Sequence, residues 1–237
     1  MSILSALTDI VSLAYDATDK MKLTIIDALS LGDAWYQCLQ KALTEGREYK
    51  IEQGSFEGMR RKEIELVAIN ISKPGIRPLS PDVPPGVPLP TTDEVIEEYM
   101  SYLMTPDRQE NEEYTYGEFL SPQIEEIIRR YRKGFDTNQM CMCVGNEKSL
   151  YQADPPCLRL VDTRVQDGAL HFILYFRSWD LWGGMPTNLG GLQTLKEYMA
   201  GEIGVQDGEI HAFSKGLHLY EHAWDLAKMV LRMPLDQ

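Results

Sequence analysis

The sequence predicts an α+β fold, with a mixed, largely antiparallel sheet and helices on one side of it. The strongest β signal is a pair of alternating apolar and polar runs, CLRLVDTRV and ALHFILYFR, around the turn dipeptide Asp167-Gly168. Helical spacing of apolar residues appears in three well-separated segments. These are Leu31–Thr44, Thr92–Met104 and Asn188–Glu202. Strands that follow one another between such helices favour one helical layer on a sheet.

The remaining elements follow from local signals along the chain. Further strands are predicted over Arg47–Glu52, Glu63–Ile71, Gln139–Val144 and Glu209–Tyr220. Ser121-Pro122 is typical of an N-cap and first helical residue, so a helix is predicted from there to Gly134, and another over Glu221–Leu231. Residues 1–30 are expected to form an N-terminal helical extension, and the proline-rich segment 74–90 a long loop. We expect a single domain over residues 1–237.

Composition limits the classes of partner. The chain has 237 residues and a net charge of −13, with a pI of about 4.8. An acidic chain has no general attraction for phosphate backbones or anionic membranes, so neither nucleic acid nor a membrane is an expected partner. Four cysteines without a CxxC pair favour reduced thiols, a cytoplasmic location and no metal site.

Polar residues cluster in four short segments of the C-terminal half. Cys157 follows two prolines at the start of a predicted strand, and Arg177-Ser178-Trp179-Asp180 follows the hairpin. Asn188 and Gly184 lie in GGMPTN, while His218 and Tyr220 share one face of a strand because they are two residues apart. Taken singly, each has an ordinary structural explanation, since a lone cysteine most often packs as a small apolar residue.

Together, the segments PPC, YxRSxDxxxGxPxN and HxY resemble thymidylate synthase over about Tyr114 to Ala223. The upstream segments GMRRKEIEL and PTTDEVIEEYMSYL are similar to the short archaeal-type branch of that family. The resemblance implies a thymidylate-synthase-like fold and reductive methylation of dUMP at C5 to give dTMP. It also implies a methylene-pterin co-substrate, either 5,10-methylenetetrahydrofolate or a methanopterin analogue. A homodimer with sheets packed back to back is implied, with a monomer as the alternative.

The resemblance also implies roles for nucleotide-binding residues. Cys157 matches the nucleophile that adds to C6 of the uracil ring, and Arg177 is the cation expected to lower its pKa. Arg177 and Ser178 match phosphate contacts, Asn188 the residue that reads the uracil edge, and His218 with Tyr220 the pair that holds the ribose 3′-hydroxyl.

Cofactor and proton-transfer roles follow in the same way. Asp180 and Gly184 match positions that contact the pterin. Glu65 matches a glutamate that manages proton transfers through water, and Tyr116 a tyrosine linked to removal of the C5 proton.

Two departures keep alternatives open. The twin arginine of the better-known branch is absent, because residues 136–139 read DTNQ. No N-terminal phosphate-loop arginine is obvious either, and Arg47, Arg60 and Arg61 are equal candidates to take its place. The alternatives are a pyrimidine nucleotide hydroxymethylase and a nucleotide-binding regulator without turnover. Asn188 argues against a cytosine substrate, and Cys157 against a protein that only binds.

Overall fold

A computed structural model describes residues 21–54, 56–108 and 113–235. These residues contain ten strands and five α-helices. The strands are β1 (Leu23–Ala28), β2 (Arg47–Lys50), β3 (Arg60–Ile64), β4 (Leu66–Ile71), β5 (Cys141–Cys143), β6 (Leu158–Gln166), β7 (Ala169–Phe176), β8 (Trp179–Asp180), β9 (Gln206–Ser214) and β10 (Leu217–Tyr220). The helices are α1 (Leu31–Glu45), α2 (Asp93–Met104), α3 (Tyr116–Tyr131), α4 (Gly184–Ile203) and α5 (Trp224–Val230).

The strands form two sheets. The larger has six strands in the order β1-β4-β9-β7-β6-β5, with β1–β4 and β7–β9 parallel and the other neighbours antiparallel. The smaller has four, in the order β2-β3-β10-β8, and only β10–β8 is parallel. The predicted α+β class with a mixed sheet is confirmed, including the β6–β7 hairpin around Asp167-Gly168.

Two predicted strands are each divided between the sheets. The segment Glu63–Ile71 breaks at Glu65 into β3 and β4, and Glu209–Tyr220 breaks at residues 215–216 into β9 and β10. Gly216 has a φ of +101°, a left-handed conformation that glycine adopts without strain. Because β4 pairs with β9 and β3 with β10, the two chain segments leave the larger sheet together. This change of sheet carries β10 into the wall of the candidate site.

The core lies between the larger sheet and the helices. One sheet face is fully buried, and it includes Ile69, Phe172, Leu174 and Ala212. The opposite face carries a row of registered residues that runs across the sheet. The row consists of Ile25, Ala68, Phe213, Tyr175 and Leu160. Ile25 is 60% exposed and Phe213 40%, so this row is an accessible apolar surface.

The glycine pair Gly190-Gly191 brings α2 close to α4. A Cβ atom on Gly190 would lie 2.6 Å from Cδ1 of Ile96, and one on Gly191 would lie 2.5 Å from Cδ1 of Tyr99. Both distances are shorter than van der Waals contact. Only glycine therefore allows Ile96 and Tyr99 to pack directly on the α4 backbone.

Two local predictions are wrong. The expected helix over residues 1–30 is contradicted at Leu23–Ala28, which is β1, while residues 1–20 lie outside the described residues. The run LTIIDA is rich in β-branched residues and pairs in parallel with LVAINI of β4, so sheet pairing determines its structure.

The helix predicted to begin at Ser121-Pro122 begins at Tyr116 instead. Thr115 is its N-cap, and the Thr115 hydroxyl accepts a hydrogen bond from the Glu118 backbone N–H at 3.2 Å. Pro122 therefore lies inside α3, where its exposed position lets water satisfy the carbonyl that lacks a helical donor. Within the described residues, no helix combines the length and apolar character that crossing a bilayer requires.

Candidate active site

A cleft of about 770 Å³ opens between the smaller sheet, residues 51–54 with Phe56, and the segment before β6. Six residues selected from the sequence line it. They are Cys157, Arg177, Ser178, Asp180, His218 and Tyr220. The fold thus brings predicted site residues from three separate parts of the chain into one cleft.

Strand register explains how the cleft wall is assembled. His218 of β10 lies directly opposite Asp180 of β8 on one side and Glu63 of β3 on the other. Tyr220, two residues further along β10, lies opposite Arg61. Because alternate residues of a strand point to the same face, His218, Tyr220 and Arg61 form one polar surface, called the sheet wall below.

His218 is held as a neutral hydrogen-bond acceptor. Its Nδ1–H donates to the Gly216 carbonyl at 3.0 Å, and burial lowers the pKa of His218 to about 4. The Nε2 atom is buried and has no partner among the described residues. With the proton on Nδ1, Nε2 offers a lone pair, which suits a hydroxyl donor from a ligand.

Cys157 and Arg177 are linked through the backbone at the cleft floor. The Arg177 backbone N–H donates to the Cys157 carbonyl at 2.8 Å. The Arg177 guanidinium donates to the Pro156 carbonyl at 3.1 Å and also to the Pro155 carbonyl. Burial raises the pKa of the Cys157 thiol, and the Arg177 charge lowers it by less. Arg177 therefore acts in the expected direction, but the thiol stays protonated at neutral pH without a ligand.

Asn188 lies on the first turns of α4, behind the cleft lining. Its Oδ1 accepts a hydrogen bond from Nε1–H of Trp179 at 2.9 Å. This contact fixes the orientation of the amide, because Oδ1 must face the indole. The Nδ2 hydrogens are consequently directed away from Trp179, and Oδ1 keeps a second lone pair.

Asp180 and Gly184 contact each other at the start of α4. The Asp180 carboxylate accepts from the backbone N–H groups of Gly184 at 2.8 Å, Gly183 at 3.1 Å and Trp182 at 3.3 Å. A Cβ atom on Gly184 would lie 3.1 Å from the Asp180 Cβ. Both residues thus stabilise the helix start, and Asp180 also lines the cleft.

Tyr116 belongs to a group of four aromatic residues next to Cys157, called the tyrosine pocket below. Its members are Tyr99, Tyr102, Tyr114 and Tyr116. The Tyr116 hydroxyl accepts from the Leu158 backbone N–H at 3.3 Å, one residue beyond the thiol. Burial raises the pKa of Tyr116 well above its usual value, so the hydroxyl keeps its proton at neutral pH.

The structure does not bring Glu65 to the cleft. Glu65 lies at the break between β3 and β4, with its carboxylate 3.6 Å from an Arg47 nitrogen and 3.5 Å from the Lys22 backbone N–H. The change of sheet at this residue removes it from the face that carries Arg61 and His218. Glu65 is therefore not brought together with the other predicted site residues, and its catalytic role stays a prediction.

Among the three candidate arginines, Arg61 lines the cleft. It pairs with Glu63 at 2.7 Å and donates to the Tyr49 hydroxyl at 2.7 Å. Arg60 points to the opposite face, where it pairs with Glu48 and Glu221. The sequence could not decide whether Arg60 or Arg61 faces the cleft, because the face that each residue of β3 presents to the cleft depends on the pairing of β3 with β10.

One cluster outside the cleft has metal-ligand residue types. Ligand atoms of His171, Glu209 and His211 lie within 4.8 Å of one another. His171 already accepts from the Glu209 backbone N–H through Nδ1 at 3.1 Å, and its Nε2 faces the Gln166 carbonyl at 3.4 Å. With both ring nitrogens facing protein groups, His171 has no lone pair directed at an ion.

Comparison with known proteins agrees with this geometry. The family model described as thymidylate synthase matches residues 108–236. A relative from Methanosarcina acetivorans, named for the same family, is 31% identical over 216 residues that cover 88% of this chain and 94% of the relative. One from Methanothermobacter thermautotrophicus, named likewise, is 29% identical over 224 residues that cover 87% and 98%. The chain therefore belongs to the thymidylate synthase family.

Proposed function

We propose that this protein catalyses the reductive methylation of dUMP at C5, giving dTMP, through a covalent bond between Cys157 and C6 of the ring. The observation that carries this proposal is the single cleft shared by the Cys157 thiol, the Arg177 guanidinium and the unpartnered Nε2 of His218. Membership of the thymidylate synthase family supports it.

The nucleotide would bind along the sheet wall. Arg177, Ser178 and Arg61 would hold the phosphate, because a guanidinium can bond two phosphate oxygens at once. The ribose 3′-hydroxyl would donate to Nε2 of His218 and contact Tyr220. Asn188 would donate through Nδ2 to the ring carbonyl at C4 and accept from N3–H, which fits uracil.

The chemical need for a nucleophile explains Cys157. C5 of uracil is a weak nucleophile until a thiolate adds to C6 and moves the ring electrons onto C5 and the C4 carbonyl. The thiol must lose its proton for this step, and the Arg177 charge favours that loss. We infer that water in the open cleft carries the proton away.

The co-substrate would be a reduced methylene-pterin, either methylenetetrahydrofolate or a methanopterin analogue. It supplies one carbon and then a hydride, and it is itself oxidised. A volume of about 770 Å³ lies in the upper part of the range for ligand pockets, so the cleft has room for a pterin beside the nucleotide. Asp180 and Gly184, at the start of α4, would position that pterin.

The proton-transfer proposal is restricted to Tyr116. Its protonated hydroxyl lies beside the backbone of Leu158 and can order water near C5 rather than act as a direct base. Glu65 is not included, because its carboxylate lies outside the cleft.

The test is release of tritium from dUMP labelled at C5, with a methylene-pterin donor. Cys157→Ala should lower release by about 10³-fold or more, since no other group supplies the nucleophile. Cys143→Ala is the matched control, because Cys143 is exposed on the edge strand β5 and should change nothing. Tritium release by Cys157→Ala at the native rate would overturn the proposal.

Product analysis separates the alternatives. A hydroxymethyl group instead of a methyl group at C5, found by mass spectrometry, would identify a hydroxymethylase. Binding of dUMP without release from any methylene-pterin donor would identify a regulator.

Further proposals concern the state of the protein in the cell. We propose a homodimer that packs through the accessible row Ile25, Phe213 and Tyr175 of the larger sheet, with a monomer as the alternative that sedimentation equilibrium would detect. We also propose a cytoplasmic location, because the chain has four free thiols. Cell fractionation would test this. We also propose that residues 1–237 act as one domain, to be tested by a single unfolding transition.

A further inference from the structure

Tyr99 has a buried hydroxyl that the fold leaves unsatisfied. Its oxygen meets no hydrogen-bond partner among the described residues. Buried hydroxyl groups in folded proteins nearly always have a partner, because leaving one unpaired destabilises the fold. A partner supplied by a bound ligand would explain this exception.

The packing of α2 on α4 fixes where this hydroxyl lies. The Tyr99 ring rests on the α4 backbone at Gly191, where any side chain would overlap it. Asn188 is three residues before Gly191 and so lies on the same face of α4. The Asn188 side chain lowers the pKa of Tyr99, so it lies near the hydroxyl, although the two groups do not reach hydrogen-bond geometry.

The same hydroxyl lies in the tyrosine pocket, close to the nucleophile. The ring centroids of Tyr99 and Tyr116 are 6.4 Å apart, and the Tyr116 hydroxyl accepts from the backbone N–H of Leu158, the residue after Cys157. The charge of a Cys157 thiolate raises the pKa of Tyr99, as do Tyr102 and Tyr114. Burial is the largest cause, and it holds the pKa of Tyr99 well above its usual value. Tyr99 therefore keeps its proton at neutral pH and can donate a hydrogen bond, but it cannot serve as a base.

We propose that the Tyr99 hydroxyl is a second hydrogen-bond donor, beside the Asn188 amide, to the ring carbonyl oxygen at C4 of a bound uracil nucleotide. This inference rests on the proposed function. When Sγ of Cys157 bonds to C6, the electron pair of the C5–C6 double bond moves onto the C4 oxygen. The thiol proton goes to water, and Tyr99 keeps its own. A preplaced donor stabilises the charge that develops on that oxygen.

The first experiment compares Tyr99→Phe with the native protein in the tritium-release assay. We expect kcat to fall by about 10²-fold while KM for dUMP changes by less than about fivefold, because the donor acts mainly on the developing charge. Tyr131→Phe is the matched control. Tyr131 is a buried tyrosine at the C-terminal end of α3, and its hydroxyl donates to the Thr163 carbonyl at 3.0 Å. It should leave kcat unchanged. An unchanged kcat in Tyr99→Phe overturns the inference.

The stability of the variants distinguishes a ligand-binding role of Tyr99 from a structural one, because the two roles predict opposite changes in the urea midpoint. Tyr99→Phe removes an unsatisfied hydroxyl, so its urea midpoint should equal or exceed that of the native protein. Tyr131→Phe loses a made hydrogen bond, so its midpoint should fall. A fall for Tyr99→Phe as large as that for Tyr131→Phe would assign Tyr99 to the fold alone.

A binding experiment separates this inference from the proposed reaction. Calorimetry would compare dUMP with 4-thio-dUMP, whose sulfur is a weaker hydrogen-bond acceptor than oxygen. The native protein should prefer dUMP, and Tyr99→Phe should reduce that preference by about threefold or more. If no tritium is released but this difference is seen, the reaction fails and the Tyr99 contact stands. If release depends on Cys157 but Tyr99→Phe changes neither kcat nor the preference, only the Tyr99 contact fails. Absence of dUMP binding overturns both.

Discussion

The sheet wall and the tyrosine pocket meet at Cys157 but are built differently. The sheet wall is a strand surface, where Arg61, His218 and Tyr220 follow from pairing between β3 and β10. The tyrosine pocket forms where α2 and α3 meet the strand that follows Cys157, and burial raises the pKa of Tyr99 and Tyr116, so these two hydroxyls stay protonated. The wall thus offers a cation and a neutral imidazole, whereas the pocket offers neutral donors. This division suits a ligand with an anionic end and a carbonyl-bearing ring.

The largest effect on the sheet wall is expected from Arg61→Ala. The Kd for dUMP should rise by about 10- to 100-fold, because the charged hydrogen bond to the phosphate is lost and the negative charge of Glu63 is left without the cation that balances it. Calorimetry with dUMP and with deoxyuridine provides the measurement. The effect should nearly vanish for deoxyuridine, which has no phosphate.

Arg60→Ala is the control for Arg61. Arg60 is adjacent in sequence but pairs with Glu48 and Glu221 on the opposite face, so its removal should change dUMP affinity by less than about twofold. Equal losses in the two variants would show that overall charge, rather than the wall, controls affinity.

A smaller effect is expected on the pH dependence of the free energy of unfolding. The pKa of His218 is lowered from 6.5 to about 4 by burial, and Arg61 and Arg177 lower it further while Asp180 and the Gly216 carbonyl raise it. Between those two values the unfolded chain binds more protons than the folded chain, so stability falls as pH falls from 6.5 towards 4.

His218→Gln should therefore remove up to about 1 kcal/mol per pH unit from that slope. Urea unfolding of both proteins across this window measures it. Parallel slopes in the two proteins would contradict a neutral, buried His218.

The smallest effect is expected for Glu65→Gln. Its carboxylate pairs with Arg47 and accepts from the Lys22 backbone N–H outside the cleft, so tritium release should change by less than about twofold. A tenfold or larger loss of tritium release, which is typical of a lost transition-state contact, would show that Glu65 takes part in the reaction. It would also imply that the chain rearranges between β3 and β4.

Local sequence patterns predicted most of the elements and two of the three residues of the sheet wall, His218 and Tyr220. Helices α1, α2 and α4 and the β6–β7 hairpin have clear periodicity and turn residues, and the two-residue spacing of His218 and Tyr220 fixes a shared face. One error lies where tertiary pairing overrides a local signal, and the other where an earlier N-cap precedes the predicted one. Leu23–Ala28 is a strand because β4 lies beside it, and Ser121-Pro122 does not begin α3 because Thr115 already caps it.

The sequence by itself determined the family, the α+β class and the residue types around Cys157, because each rests on motifs read within one short segment. Tertiary structure alone decided that Arg61 rather than Arg60 faces the cleft, that Glu65 lies outside it, and that Tyr99 packs on α4 near Asn188. The physical reason is that these three positions depend on contacts between distant segments. The pairing of β3 with β10 sets the first two, and the contact of α2 with the glycine pair of α4 sets the third.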